Sequence, residues 1–178
     1  QSGMQDIDAA IDNLFNHPNV GPFIGRLLIQ RLVTSNPSSA YIARVSAAFA
    51  GGTNAPRGDM KAVLRAVLED PEAASGIHLR EPFLRYVALN RTLHATSSDG
   101  TYPALGYLGQ FLLQQHVLSA PSVFNFYSPN FVPPGELGQA GRVSPEMQIT
   151  TDSTIVGYAN LVAFSLYGQQ SIDTPNGF

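Results

Sequence analysis

The chain has 178 residues, a formal net charge of −3 and no cysteine. Charged residues make up only 13% of it and hydrophobic residues 44%, a balance that favours a folded core over disorder. No cluster of lysine and arginine and no run of about 18 apolar residues occurs, which argues against nucleic-acid binding and a transmembrane segment, while the lack of cysteine excludes disulfides and thiolate metal sites.

Five helices are predicted in the first hundred residues, because apolar residues recur there with the period of a helix. The first carries Ile7 and Ile11 and stops at the turn NHPNVGP. The next three end at SNP, at the glycine pair GG and at the Asp-Pro pair DP, which are common helix terminators. The fifth is predicted from about Pro82 to His94.

Two more helices are predicted in the second half, from Tyr107 to Val117 and from Asp152 or Ser153 to Tyr167. Residues 119–150 between them are predicted to form an irregular loop, and residues 168–178 a frayed tail. No hairpin signal and no internal repeat occurs. The fold class expected is therefore all-α, a single domain in which six to seven helices form a bundle with one long ordered loop.

The stretch SAPSVFNFYSPNFVPPGEL, Ser119–Leu137, is called the aromatic segment below. Its prolines block regular backbone hydrogen bonding, so burial of its rings must hold it in place. We therefore expect Phe124, and at least one of Phe126 and Tyr127, to be buried. The alternative is that Phe126, Tyr127 and Phe131 face outward and bind a ligand, such as a sugar ring or an apolar residue of a partner.

Charged groups that could form a site are few. The string LREPFLR places Arg80, Glu81 and Arg85 together, either as a structural ion-pair network or as a site for an anionic ligand. Acid–base candidates are Glu81, Glu146, Asp152 and His116. The four histidines are dispersed and none pairs at helical i, i+4 spacing, so no metal and no cofactor is predicted.

The tripeptide RGD at Arg57 to Asp59 matches a motif that some adhesion receptors bind. Here it directly precedes a predicted helix, where Gly58 and Asp59 suit the N-cap region. We interpret it as the start of a helix.

Several long strings occur in a characteristic order: LFNHPNVGPFIGRLLIQRLVTSNPS, RGDMKAVLRAVLEDPEA, LREPFLR, APSVFNFYSPNFVPPGEL and SPEMQI. From about Asp6 to Leu166 the chain resembles the C-terminal part of a bacterial family known as domain of unknown function eighteen hundred. The resemblance implies a longer, exported protein, located in the periplasm, at the cell surface or outside the cell. The lack of an initiator methionine likewise leads us to expect a fragment or a processed product. The family has no established catalytic residues to carry over.

Two functions remain open at this point. The first is a non-catalytic binding or assembly module of an exported envelope protein, whose partner is its own N-terminal region, another envelope protein or a polysaccharide. The second is part of a hydrolase that acts on an extracellular polymer, with some catalytic groups in the N-terminal region. A convergent acid–base pair would distinguish the second function from the first.

Overall fold

The computed structural model of the chain describes residues 2–53, 55–96, 100 and 107–167, without the side chains of Tyr107 and Leu108. Within that part the chain contains eight α-helices and no β-strand, which confirms the all-α prediction with one or two helices more than expected. The chain divides into two units, residues 1–78 and 79–178, and each is described by itself. The predicted single domain stays a prediction.

The first unit contains four helices, three of which begin at a residue whose side chain caps them. They are α1 (Gly3–Asn16), α2 (Val20–Leu32), α3 (Ser39–Ala50) and α4 (Met60–Leu68), followed by a 3₁₀ helix at Pro71–Ser75. Side chains cap three of the α-helices: Ser2 accepts a hydrogen bond from Gln5 N–H, Ser38 from Tyr41 N–H, and Asp59 from the first amides of α4. Such caps satisfy amides that would otherwise lack a partner.

The core of the first unit lies between α2, α3 and α4. Its buried residues are Ile29, Val33, Tyr41, Val45, Phe49, Val63 and Val67. Tyr41 is fully buried, and its hydroxyl donates a hydrogen bond to the carbonyl of Val67. Burial, the largest cause, and the nearby carboxylates raise the pKa of this phenol. Gly25 allows α2 to approach α3 closely, because a Cβ there would lie only 3.1 Å from Val45.

Helix α1 contributes little to this core, although its apolar residues recur as the sequence predicts. Ile7, Ile11 and Leu14 all have exposed side chains, and no residue of the helix is buried. The end of the helix is held by Phe15, whose ring lies 5.9 Å from that of Phe49 at a tilt of 58°. The helix is therefore attached at its C-terminal end.

The RGD tripeptide holds that same end of α1. Arg57 donates hydrogen bonds to the carbonyl oxygens of Phe15 at 2.9 Å and His17 at 3.2 Å. Gly58 has a φ of 79°, and a Cβ there would lie 2.7 Å from the Phe15 ring. Asp59 caps α4, as predicted. All three residues of the motif therefore have structural roles.

The second unit contains the other four helices. They are α5 (Pro82–Thr92), α6 (Tyr107–Leu112), α7 (Glu136–Gln139) and α8 (Asp152–Tyr167). The fifth and sixth helices end earlier than predicted, at Thr92 and Leu112. Residues 119–150 were expected to be irregular throughout, but they include α7 and a 3₁₀ helix at Pro145–Ile149. The predicted frayed tail, residues 168–178, lies outside the described residues.

Helices α5, α6 and α8 enclose a small core made by Tyr86, Leu113 and Leu161. Tyr86 and Ser165 join α5 to α8 through a hydroxyl–hydroxyl hydrogen bond of 2.7 Å. Gly157 lets α8 approach α6, since a Cβ there would collide with the carbonyl oxygen of Leu112. No helix in the described ranges is long and apolar enough to cross a membrane.

The aromatic segment is anchored by one ring and by specific hydrogen bonds. Tyr127 is buried, which confirms that part of the prediction. The expectation for Phe124 is wrong, because its side chain is 40% exposed. Phe124 lies in the tight turn between Ser122 and Asn125, where Ser122 Oγ accepts from Phe124 N–H and Asn125 has a φ of 73°.

Candidate functional site

A cavity of about 290 Å³ opens in the second unit. It lies between the start of α5, the residues that follow α6 and the aromatic segment. Three of the residues predicted as site candidates line it together: Glu81, His116 and Phe126. The sequence separates these residues by up to 45 positions, so their convergence is a product of the fold.

Glu81 supplies the negative charge of this cavity. It occupies the N-cap position of α5, yet its side chain makes no capping hydrogen bond and is only partly buried. Its Oε2 accepts a hydrogen bond of 2.9 Å from the hydroxyl of Tyr127. Within the described residues no arginine, lysine or histidine forms an ion pair with it. The carboxylate is therefore oriented by a neutral donor and is not neutralised.

Tyr127 links Glu81 to the second predicted carboxylate, Glu146. The tyrosine oxygen lies 3.5 Å from Glu146 Oε1, so the two carboxyl groups share one hydroxyl. Glu146 is only 2% exposed and does not line the cavity. In this structure the Glu146 carboxylate is therefore not open to the cavity. The two glutamates do converge, but as a structural unit in which only Glu81 faces the cavity.

His116 lies beside Ser119 in the turn that leads into the aromatic segment. Its Nδ1 is 2.9 Å from Ser119 Oγ, and Ser119 N–H donates to the carbonyl of His116 at 3.2 Å. The hydrogen bond spans three residues, which is typical of a turn held by a side chain. It also places a base within reach of a hydroxyl nucleophile, an arrangement that the sequence did not indicate.

Left-handed backbone conformations cluster at the cavity. Gln114, Leu118 and Asn125 have φ angles of 54°, 62° and 73°. Leu118 and Asn125 line the cavity, and Gln114 immediately precedes the lining residue Gln115. Positive φ is uncommon for residues with a side chain and costs on the order of 1–3 kcal/mol each. Strain of this kind is concentrated at binding and active sites more often than elsewhere.

The other predicted site residues lie away from the cavity. Arg80 is exposed, and Asp152 is an exposed residue in the first turn of α8. Phe131 is partly buried, and its carbonyl accepts a hydrogen bond of 2.9 Å from Ser144 N–H. Arg85 lies over the ring of Tyr158 at 5.0 Å and thereby joins α5 to α8. Arg80 and Arg85 do not line the cavity, and within the described residues neither forms an ion pair with Glu81; the anionic-ligand site stays a prediction.

The first unit has a wider groove, of about 580 Å³, whose charges are mostly committed to one another. Arg44 forms ion pairs with Asp70 at 2.6 Å and with Glu72 at 2.8 Å. Arg65 pairs with Glu69 at 3.3 Å, four residues away. Among the described residues no group of three histidine, aspartate or glutamate side chains could hold a metal ion. The groove is a solvated, internally paired surface, and we do not regard it as the site.

The Arg44 pairs predict a dependence of stability on pH. Hydrogen bonding from Arg44 lowers the pKa of Asp70, and hydrogen bonding from Ser38 and then Arg44 lowers the pKa of Glu72. A carboxyl group whose pKa is lower in the folded state stabilises the fold above its unfolded pKa, and that contribution is lost as the pH falls through the folded value. We expect the free energy of unfolding to decrease below about pH 5.

Asp70→Asn is the variant that tests this expectation. Asparagine retains an oxygen for the amide of Glu72, but loses the charge that pairs with Arg44. Denaturant titrations at a series of pH values should show a shallower loss of stability in acid for this variant than for the parent chain. Identical pH profiles would mean that Asp70 does not contribute to the acid sensitivity.

The family model DUF1800, described as a protein of unknown function, matches residues 1–174. The chain belongs to this family. No curated protein and no solved structure matches it significantly.

The cavity of this DUF1800 chain also contains residues that the sequence did not indicate. Phe83 forms part of the wall, and its N–H donates a hydrogen bond of 2.9 Å to Oε1 of the buried Gln115. Asn125 lines the cavity in its left-handed conformation. The only available signal for Asn125 was the tolerance of asparagine for positive φ. No local signal exists for Phe83 and Gln115, because they are 32 residues apart.

Proposed function

We propose that this chain is a non-catalytic binding or assembly module, the C-terminal portion of an exported bacterial protein that acts in the periplasm, at the cell surface or outside the cell. Its partner would be the N-terminal region of the same protein, another envelope protein or a polysaccharide. The observation that carries the proposal is the cavity bounded by Glu81 and Phe126. The location rests on the family resemblance alone.

The geometry of the carboxylates supports binding over catalysis. Glycoside hydrolysis, one way to cleave an extracellular polymer, usually needs two carboxyl groups that both reach the substrate. Here Glu146 is only 2% exposed, and neither it nor Asp152 lines the cavity. What remains is a concave surface with an apolar wall and a few polar groups, which is the usual form of a ligand site.

A variant that fills the cavity tests the proposal. Ala120 lines the cavity and is exposed, so Ala120→Trp should occupy the space without removing a contact. Val123→Trp is the matched control, because Val123 is exposed and does not line the cavity. Peptide and oligosaccharide mixtures would be screened by saturation-transfer NMR. We expect at least one ligand that binds the parent and the control but not Ala120→Trp. If no ligand shows that pattern, the cavity is not a binding site.

The contact between His116 and Ser119 favours the second candidate, part of a hydrolase for an extracellular polymer. Ser119 would be the nucleophile and His116 its base, with Glu81 in the same cavity. Further catalytic groups would come from the N-terminal region. This arrangement lacks a partner that orients the imidazole, because among the described residues His116 makes no second side-chain hydrogen bond. Hydrolases of this type normally have one.

A reactive serine can be detected without knowledge of the substrate. A fluorophosphonate probe should label the chain if His116 activates Ser119. Labelling should then disappear in Ser119→Ala and persist in Ser153→Ala, which removes an exposed hydroxyl from α8. The absence of labelling in the parent chain would exclude a serine nucleophile of this kind.

A further inference from the structure

The described residues that line the cavity include one carboxylate and no arginine or lysine. That carboxylate belongs to Glu81, and no cation of the described chain forms an ion pair with it; His116 is the other titratable side chain among the described lining residues. A partly buried carboxylate loses hydration, and a single hydrogen bond from Tyr127 replaces only part of it. A ligand with a positive charge or strong hydrogen-bond donors would replace the rest.

An anionic ligand is disfavoured at the same place. The start of a helix often binds anions through its free amides. At α5, however, the Phe83 amide is already bonded to the side-chain oxygen of Gln115. The carboxylate of Glu81 precedes the helix and would repel an anion. The negative charge of Glu81 therefore favours a ligand that is either a cation or a neutral hydrogen-bond donor.

The apolar wall and the small volume of the cavity further limit the kinds of ligand that it can bind. Val117, Leu118 and Ala120 offer an aliphatic surface, and Phe83 and Phe126 offer aromatic rings. Aliphatic stems pack on such surfaces, and aromatic faces attract cations. A volume of about 290 Å³ is at the lower end of the usual range for ligand sites, so it suits one side chain better than several sugar rings.

The backbone around the opening is fixed in advance. Leu118 and Asn125 hold left-handed conformations, and Ser122 Oγ donates a hydrogen bond of 3.1 Å to the carbonyl of Asn125. A rim that is already in place loses little entropy when a ligand binds. Leu118 is fully exposed and would gain contacts with a bound stem.

We propose that this cavity binds the head of a lysine or arginine side chain carried by a partner protein, with Glu81 as the counter-ion and Phe126 and Leu118 packed along the aliphatic stem. The proposal rests on the proposed function, because it names the partner chemistry of the same cavity. A polysaccharide is the competing occupant, and the experiment below separates the two.

The test uses blocked amino acids as probes, in ¹⁵N-resolved NMR titrations of the full chain at about pH 8, where an ordinary imidazole is neutral. The probes are N-acetyl-lysine methylamide and N-acetyl-arginine methylamide. N-acetyl-norleucine methylamide has an aliphatic stem without the charge, and an N-acetylglucosamine oligomer represents a polysaccharide. We expect the lysine or arginine probe to shift the amide signals of Phe83 and Asn125, and the norleucine probe to bind much more weakly.

Glu81→Gln should weaken binding of the charged probe by about tenfold or more, because it removes the counter-ion. Glutamine keeps an acceptor for the Tyr127 hydroxyl, so the fold should persist, and circular dichroism checks that it does. Glu136→Gln removes an exposed charge in the same unit and should leave the affinity unchanged. High salt should weaken binding of the charged probes.

Three results would overturn the cationic ligand. They are equal affinity for the lysine and norleucine probes, unchanged affinity in Glu81→Gln, and binding of the sugar oligomer alone. If the sugar or the neutral probe binds and Ala120→Trp abolishes that binding, the cavity remains a binding site and only its ligand class changes. If none of the four probes binds, the cationic ligand is wrong, and the wider screen with Ala120→Trp decides the proposed function separately.

Discussion

Replacing Tyr127 with alanine is expected to lower the free energy of unfolding by about 3–5 kcal/mol, the usual cost of removing a large buried ring. Tyr127 is only 4% exposed, and it is the one buried ring among Phe124, Phe126, Tyr127 and Phe131 of the aromatic segment. The substitution also removes the hydroxyl that contacts Glu81 and Glu146. Denaturant unfolding followed by circular dichroism measures the loss.

Two further variants separate the causes of that loss. Phe124→Ala is the matched control, since its ring is at the tip of an exposed turn, and it should cost well under about 1 kcal/mol. Tyr127→Phe keeps the ring but removes the donor, and should cost about 1–3 kcal/mol because Glu81 loses its hydrogen bond. Equal costs for Tyr127→Ala and Phe124→Ala would show that Tyr127 does not anchor the segment.

Phe49→Ala should cost about 3–5 kcal/mol in the first unit. Phe49 is 2% exposed and belongs to the core of α2, α3 and α4. Its ring also contacts that of Phe15 and lies beneath the guanidinium of Arg57, at 5.0 Å. Truncation would leave a cavity and remove the surface on which both neighbours rest.

Phe23→Ala is the control for Phe49→Ala, because it makes the same chemical change in the same unit. Phe23 lies on α2 and is more than half exposed. We expect its loss to change the free energy of unfolding by less than about 1 kcal/mol. Denaturation of both variants under identical conditions gives the comparison, and similar values would contradict the assignment of Phe49 to the core.

The helices could be predicted because their signals are local. Apolar residues that recur every 3.6 positions, followed by a terminator such as SNP or Asp-Pro, predict a helix without any knowledge of the rest of the chain. The errors occurred where local signals conflict with contacts at a distance. Helix α6 was predicted to extend to Val117, but Gln114 adopts a positive φ and Gln115 is buried against Phe83. Periodicity carries no information about such a contact.

The candidate site shows the same contrast between what local sequence predicts and what depends on contacts between distant residues. Glu81, His116 and Phe126 could be chosen one by one, because charge is scarce in this sequence and aromatic rings in a proline-rich stretch are conspicuous. Their shared cavity could not be foreseen, since it depends on pairings such as Tyr127 with Glu81, 46 residues away. The burial of Glu146 could not be foreseen either, because a glutamate is normally expected at the surface.

The attachment of α1 has a consequence for local unfolding. The helix buries none of its residues, and the Phe15 ring and the Arg57 hydrogen bonds hold only its final turn. Its amide hydrogens should therefore exchange with solvent through local opening of the helix, at a cost far below that of global unfolding. Amides in the middle of α3, where Tyr41, Val45 and Phe49 are buried, should exchange only when the first unit opens. The chain would thus present a detachable amphipathic helix while its core stays closed.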